Sequence, residues 1–497
     1  MYVNNRWLIL AIVTSALFLI VIDMTVLYTA LPRLIKELNG TAAEKLWIIN
    51  VYPLVVAGLL PGAGMLSDRL GHRRLFMTGL PLFALASWCA AFSPSAGLLI
   101  ASRVFLAVAA AMMMPATLAI VRQVFTDERE RALAIGIWAA IASGAAALGP
   151  VLGGLLLEYF WWGSVFLINV PVVMIVFPLA WWCIPHIAGD RRRPFDLIGS
   201  LQIMIGLVGV VYALKELSHV NGSPLDICLS ASLGILFLTL FVRRQRRAAV
   251  PMIDFSLFRN GYFSSGVAIA IISMIALTGV ELVLTQRLQL VLGLSPLTAA
   301  LTLMPLPVAS VLAAPLAGML IPRYGERFII LAGFTLSASG IISLLMLFNS
   351  ALVWQMVALF VAGVGLGATF TAASTAIMLN TPEDRAGMVA AIEDVSWELG
   401  GVLGVTLLGG MMTAVYSYGL VLPQGLVSGV EAYDSIDEAL RIAAGMTAEP
   451  AAELVGLAHG AFDRAFLAVT GSAAALLVLT LLVLQRVLRP QTPLTGP

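Results

Sequence analysis

Residues 64–74 read GMLSDRLGHRR, and residues 318–328 read GMLIPRYGERF. The two stretches match at glycine, methionine, leucine, arginine, glycine and arginine, at a constant offset of 254 residues. The same offset sets ERERALAIG, around Arg131, against PEDRAGMVA, around Arg385. A basic, glycine-punctuated loop that recurs half a chain later marks an internal repeat, and each copy follows a long apolar run. The chain is 60% hydrophobic and only 11% charged, with a mean hydropathy of +0.98. A soluble domain is typically about 25% charged, and no globular core absorbs such an apolar surplus. The class is therefore an all-α polytopic membrane protein.

A spanning helix needs about 20 mainly apolar residues. Windows of that kind lie at 7–31, 46–66, 75–95, 98–122, 132–157, 162–184, 197–217, 225–242, 261–285, 296–320, 328–348, 352–379, 387–413 and 463–485, which makes 14 transmembrane helices. The first window carries Asp23 and ends without a small-residue cleavage site, so it reads as a retained helix. Lysine and arginine set the orientation. With the N-terminus in the cytoplasm, 20 of the 28 basic residues fall inside, including Arg69, Arg73, Arg74 and the runs at 191–193 and 243–247, against seven outside. A multi-pass monomer in a bacterial inner membrane, with both termini cytoplasmic, is expected. The repeat pairs spans 1–6 with spans 9–14. The chain then divides into an N-terminal six-helix half (1–184), a linker with two extra transmembrane helices (185–258) and a C-terminal six-helix half (259–497). The last contains a polar outer loop at 414–462, whose amphipathic SIDEALRIAAGM suggests a partly helical lid. Parallel halves of this kind hold a substrate site between them, near the bilayer midplane.

Ionisable side chains inside spans are rare, costly and functional by default. Asp23 lies about eight residues from the outer end of span 1, roughly 12 Å deep at the rise of a helix. Arg103 in span 4 lies at a similar depth. A charge pair between them is expected, because either group alone carries a large desolvation penalty. Such a pair either sets the register of two helices or takes part in proton coupling and gating. Glu281 in span 9 aligns with Leu27 by the offset of 254. It is expected to face the same central cavity from the other half, or else to sit at the outer rim beside Gln286 and Arg287.

The densest acidic stretch is AIEDVSWELGG at 391–401, inside span 13. Asp394 and Glu398 are four apart and share a helix face, while Glu393 lies about 100° round. The glycines that follow leave the helix thin enough for a neighbour to pack closely. Desolvation and mutual repulsion disfavour a second negative charge on this face. These acids are expected to hold protons near neutral pH and release them when a cation arrives. Glu393 either joins them or faces the cytoplasmic mouth. Trp397 and Trp138 offer aromatic faces for cation–π attraction, or mark the membrane interface. Met112, Met113 and Met114 provide an adaptable apolar wall or simple packing. The offset also sets Glu398 against Gly144 and Asp394 against Ala140 in span 5.

GMLSDRLGHRR, with Gly64, Asp68, Arg69, Gly71 and Arg73, resembles the cytoplasmic loop signature of the major facilitator superfamily. DMTVLYTALP, from Asp23 to Pro32, resembles the first-span signature of its 14-helix drug:proton antiporters. GPVLGG, with Gly149, Pro150, Gly153 and Gly154, is similar to the antiporter motif of drug exporters, although Ala145 stands where a further glycine often lies. Arg103 matches that superfamily's intramembrane arginine, and LWIINVYPLVVAG (46–58) resembles quaternary ammonium and viologen exporters of the QacA and SmvA type. The resemblance implies a proton-coupled exporter of lipophilic cations that works by alternating access. It draws on the proton gradient and no cofactor, and acids in span 13 handle substrate and protons. The loop motif is then a latch in which Asp68 pairs with Arg73 or a neighbouring helix, and GPVLGG bends span 5. A second reading keeps the acids for proton coupling only and moves a neutral or zwitterionic metabolite.

Other classes find no support. No phosphate-binding G-x-x-x-x-G-K-[ST] and no H-E-x-x-H occurs, which excludes ATP-driven transport and metalloprotease chemistry, and nothing points to nucleic acid. The protein is not expected to be an enzyme. Cys89, Cys183 and Cys228 show neither metal nor disulfide spacing and read as small core residues. His72, His186, His219 and His459 are placed in loops or at span ends, and no metal site is expected. Glu158, next to Trp161 and Trp162, reads as interfacial.

Overall fold

The computed structural model describes residues 5–185, 189, 196–217, 223–379, 386–423 and 431–487, without the side chains of 42, 386, 387 and several positions between 128 and 147. The run at 191–193, Arg385, Arg489, His186, His219 and the side chains of Arg129, Arg131 and Ala140 lie outside the described residues.

The described residues fold as helices: α1 (Arg6–Leu38), α2 (Ala42–Leu70), α3 (His72–Ala91), α4 (Ala96–Val124) and α5 (Glu128–Tyr159) come first. Next are α6 (Ser164–Leu167), α7 (Asn169–Cys183), α8 (Leu197–Leu217), α9 (Pro224–Arg247) and α10 (Gly261–Gln286). The chain continues with α11 (Pro296–Leu303), α12 (Pro305–Tyr324), α13 (Glu326–Met346), α14 (Leu352–Leu379), α15 (Ala386–Gly419), α16 (Ile436–Ala443) and α17 (Ala448–Val487). Thirteen helical segments among the described residues are long and apolar enough to cross a bilayer. The fourteenth expected span is α5, a helix of 32 residues.

Local chemistry explains the starts and turns. Asn5 caps α1 by accepting from the N–H groups of Trp7 and Leu8, and Thr41 with Glu44 closes a capping box on α2. The repeated glycine of the two basic loops has a backbone reason. Gly71 and Gly325 turn the chain at φ 96° and 82°, in the region that glycine enters without steric cost.

Three expected elements gain detail. The tenth span is one helical run, Pro296–Tyr324, in which Met304 keeps helical φ and ψ just before Pro305 and Pro307, which offer no N–H to the preceding turn. The sixth span likewise runs Ser164–Cys183, with Ile168 in helical geometry between α6 and α7. The outer loop at 414–462 is mostly helix, since α15 runs on to Gly419, α16 fills its middle, and α17 begins at Ala448. His459 therefore sits inside α17 and not in a loop.

Helix ends that alternation assigns to one side do meet. On the arginine-rich side Arg6 pairs with Glu130, and Arg73 donates to the Trp181 carbonyl at the end of α7 at 2.6 Å. On the opposite side Arg33 donates to the Leu157 carbonyl, and Arg287 pairs with Asp463 at 2.7 Å. The inserted helices pack outside the first bundle. A Cβ on Gly58 of α2 would lie 2.9 Å from the Met204 backbone of α8, and α9 buries little beyond Gly234, Phe241 and Gln245. Asp196, just before α8, ties the pair together. Its partial burial works against ionisation, but hydrogen bonds from Arg244, Gly199 N–H and Gln245 hold its carboxyl below the usual range.

Apolar side chains such as Leu85, Ile175, Met346, Val353 and Leu479 point outward, as a lipid-facing surface requires. Cys89 and Cys228 belong to this exposed surface and only Cys183 is buried, which corrects the reading of all three as core residues. Glu158 is exposed at the end of α5.

Candidate functional site

The first bundle is built round a charge pair. Arg103 of α4 donates from Nη1 to Asp23 Oδ2 of α1 at 2.7 Å, with the two side chains 1% and 0% exposed. The rest of the arrangement satisfies both partners. Arg103 Nε donates to the Ile48 carbonyl at 3.2 Å, and the guanidinium lies over the Tyr52 ring at 4.7 Å. Asn169, the first residue of α7, donates to Asp23 Oδ1 at 3.2 Å and to Ser87 Oγ of α3 at 3.1 Å. Five helices and one aromatic face thus hold a neutral pair where an isolated charge would be prohibitive.

The acids of α15 divide by face. Glu393 (8% exposed) turns toward α14, where it accepts from Ser374 and, at 3.5 Å, from Trp397 Nε1. Trp397 meets Phe370 of α14 edge-on at 4.8 Å. The indole is thus placed with Glu393, not at Glu398 where its sequence neighbour stands. Glu398 (9% exposed) has one buried oxygen, Oε2, with no hydrogen-bond partner, and Asp394 lies one turn away within electrostatic reach. The glycines after Glu398 bring α10 close. Cβ atoms on Gly400 and Gly404 would lie 2.7 Å from the Ile271 carbonyl oxygen and 2.1 Å from Thr278 Oγ1.

Glu281 of α10 lines a different space. It is partly buried in a small open cleft whose other walls are apolar and come from α10, α11, α12, α14 and, through Pro150, from α5. Two tyrosines connect these groups. Tyr28 of α1 lies within electrostatic reach of Glu281, Glu398 and Arg103, and Tyr52 of α2 within reach of Asp23, Arg103 and Glu398. Among the described residues Glu281, Asp394 and Glu398 have no cationic partner, whereas Asp23 has Arg103. Two carboxyls on α15 and a third in the separate cleft thus stand without a positive charge to match them. Such groups can take up protons or an organic cation.

The other predicted residues serve packing and contacts between ends. Trp138 Nε1 donates to Thr117 of α4 at 3.1 Å, and Met113 packs on Gly79 of α3. Asp68 stands 3.8 Å from His72 Nε2, while Arg73 is engaged by α7 through the Trp181 carbonyl and ring. Gly64 and Gly144 face open space, and Arg69 closes the last turn of α2. In GPVLGG, Cβ atoms on Gly149 and Gly153 would meet Thr25 and Val26 of α1 at 1.8 and 2.6 Å. One on Gly154 would meet the Leu297 backbone of α11 at 2.6 Å. Sequence reasoning missed Tyr28, Tyr52, Ser87 and Asn169. Asn169, a lone amide in an apolar run, carried the one usable signal.

The family model described as Major Facilitator Superfamily matches residues 13–405. The methyl viologen resistance protein SmvA of Salmonella typhimurium is 40% identical over 478 residues, covering 96% of this chain and 97% of that protein. The multidrug efflux pump LfrA of Mycolicibacterium smegmatis is 38% identical over 484 residues, covering 96% and 95%. Among solved structures, a bacterial homologue of the human lysosomal transporter Spinster shares the fold. Its TM-score is 0.68 at 18% identity, covering 98% of this chain and 99% of that one. The chain belongs to the major facilitator superfamily, and it is a multi-pass membrane transport protein, not an enzyme.

Proposed function

We propose that this major facilitator superfamily transporter exports lipophilic cations, such as quaternary ammonium antiseptics, dyes and viologens, in exchange for protons. The observation that carries the reading is the unmatched negative charge of Glu281, Asp394 and Glu398 beside a fully paired Asp23 and Arg103. A buried carboxylate without a counter-ion is costly, so each of these acids holds a proton until a cation replaces it. Loading the cation expels protons, and reprotonation from the other side expels the cation. That cycle is exchange, driven by the proton gradient alone. Glu393 positions α15, Asp23 and Arg103 brace the first bundle against which the acids move, and the motifs at 64–74 and 149–154 gate the movement of the two six-helix halves. The names of the relatives, a methyl viologen resistance protein and a multidrug efflux pump, support cationic drugs as the cargo. The excess of arginine on one side supports a placement in a bacterial inner membrane with both termini cytoplasmic.

The test is transport by the purified protein in proteoliposomes with an imposed pH gradient. Ethidium and methyl viologen are expected to move with the gradient, and Asp394→Asn or Glu398→Gln to abolish that movement. Cations that ignore the gradient, together with a neutral metabolite that follows it, would overturn the reading in favour of a metabolite exporter.

A further inference from the structure

Of the candidate spans among the described residues, α9 is the least buried. Gly234, Phe241 and Gln245 turn inward. The opposite face carries Leu229, Leu233, Leu236, Leu240, Arg243 and Arg247, all exposed. They are spaced alternately four and three residues apart, so they form one stripe along the helix. From Leu229 to Leu240 the stripe runs about 17 Å at the rise of an α-helix. That is close to half of a hydrocarbon core about 30 Å thick. The two arginines follow at the arginine-rich side, where the headgroups of that leaflet begin.

Asp196 takes Arg244, whose Nε donates at 2.9 Å, and among the described residues Arg243, Arg246 and Arg247 have no hydrogen-bond or ionic partner. Arg243 and Arg247 stand one turn apart on the stripe, with Arg246 beside them. A guanidinium matches a phosphate through two parallel N–H donors. The occupant that completes the stripe therefore has an acyl chain for the leucines and a phosphate for the arginines. Its net charge is set by the same residues. Three unpaired guanidiniums repel a headgroup that carries its own ammonium and attract one that is net anionic.

This end of α9 also reaches the second bundle. Gln245, between the two arginines in sequence and 2% exposed, points the other way. It accepts from the Met252 N–H at 2.8 Å and donates to Asp196 at 3.1 Å. Met252 belongs to a strap, residues 250–260, which buries Met252, Ile253 and Leu257 in the core of the first bundle. Two residues on, the Asp254 N–H donates to Met388 Sδ of α15 at 3.3 Å, six residues before Asp394. Two hydrogen bonds thus connect the end of α9, through the strap, with the helix that carries Asp394 and Glu398.

We propose that the outward face of α9 is a binding site for an anionic phospholipid, with an acyl chain along Leu229, Leu233, Leu236 and Leu240 and the phosphate on Arg243 and Arg247. The bound lipid holds the end of α9 in place and steadies the strap against α15. The site stands apart from the cargo and serves whichever compound the chain exports.

The experiment is native mass spectrometry of the purified full chain in detergent, titrated with dioleoyl phosphatidylglycerol or dioleoyl phosphatidylcholine. The unaltered chain is expected to bind phosphatidylglycerol several-fold more tightly, and equal affinities overturn the site. Arg243→Gln with Arg247→Gln is expected to weaken phosphatidylglycerol roughly tenfold, the effect of losing about 1.4 kcal/mol, and to leave phosphatidylcholine unchanged. Arg122→Gln with Arg323→Gln, two exposed arginines elsewhere on the same side, is expected to change neither. Equal losses from the two pairs reduce the site to a general attraction of basic helix ends for anionic lipid and overturn it. Glycerol phosphate, which lacks the chains, is expected not to displace the lipid. Displacement assigns the arginines to a soluble phosphate and overturns the stripe. Thermal unfolding reports that each variant folds. Amide hydrogen exchange over residues 250–260, in nanodiscs of phosphatidylcholine with and without phosphatidylglycerol, reads the link to α15. The anionic lipid is expected to slow exchange several-fold in the unaltered chain and not in the Arg243 and Arg247 variant. Unchanged exchange with lipid bound overturns the link.

Discussion

Asp23 and Arg103 act as one unit because each carries the cost of the other. Removing either partner of a buried pair typically costs about 3–5 kcal/mol, whereas removing both is often close to neutral. Arg103→Met and Asp23→Asn alone are each expected to lower the thermal unfolding temperature by several degrees. The double variant is expected to regain much of the loss, with a coupling above about 1 kcal/mol. Additive effects in a double-mutant cycle would show that the 2.7 Å contact is not the unit described. Transport is expected to stay impaired in the double variant, which separates its role in positioning from its role in stability. This pair was legible in the sequence, since an aspartate and an arginine in apolar runs at equal depth leave few alternatives. Its supporting residues were not. Tyr52 and Ser87 are common in spans, and only three-dimensional packing shows that one lies over the guanidinium and the other receives Asn169. Trp397 misled for a related reason: neighbours in sequence point about 100° apart on a helix, so it serves Glu393, four residues back.

At the scale of the element, α5 shows what small residues do. Gly149, Gly153 and Gly154 let one helix approach α1 on one flank and α11 on the other. The contact at Gly154 is with backbone, at 2.6 Å from the Leu297 Cα, so an added methyl cannot be absorbed by a rotamer change. Overpacking of this kind typically costs about 1–3 kcal/mol. Gly154→Ala is expected to slow transport several-fold in proteoliposomes, because the seam can no longer close. Gly97→Ala, where a Cβ meets nothing within 4 Å, is the matched control. Equal rates for the two variants would show that the seam does not limit the cycle. The motif itself was visible from its spacing, but its partners were not, because Leu297 lies in another repeat. The tenth span, by contrast, was legible: apolar counting runs straight through Met304 and so does the helix, with Pro305 and Pro307 only withholding their N–H groups from its turns.

Over the whole molecule, the bundles are tied together at the side opposite the arginine-rich loops. Lys45 of α2 pairs with Asp437 of α16, their side chains 4% and 11% exposed. Deeper in, Asn50 donates to Thr406 of α15 at 2.9 Å, and Gln289 donates to the Thr29 carbonyl of α1 at 3.1 Å. The amphipathic stretch foretold a helix in the outer loop. Nothing in the sequence could assign its partner, which lies 392 residues away and reads there as one more basic residue near a span end. The consequence is mechanical. A transporter that alternates access has to part this pair once per cycle, so a covalent link here is expected to arrest it with this side closed. In a background with Cys89, Cys183 and Cys228 replaced by serine, Lys45→Cys with Asp437→Cys is joined by a short thiol cross-linker that a reductant cleaves. Gradient-driven export is expected to fall to background on cross-linking and to return on reduction, while equilibrium binding of a cation persists throughout. Export that continues at the uncross-linked rate would mean that α16 rides on α2 through the whole cycle, and the opening would then have to lie elsewhere than between them.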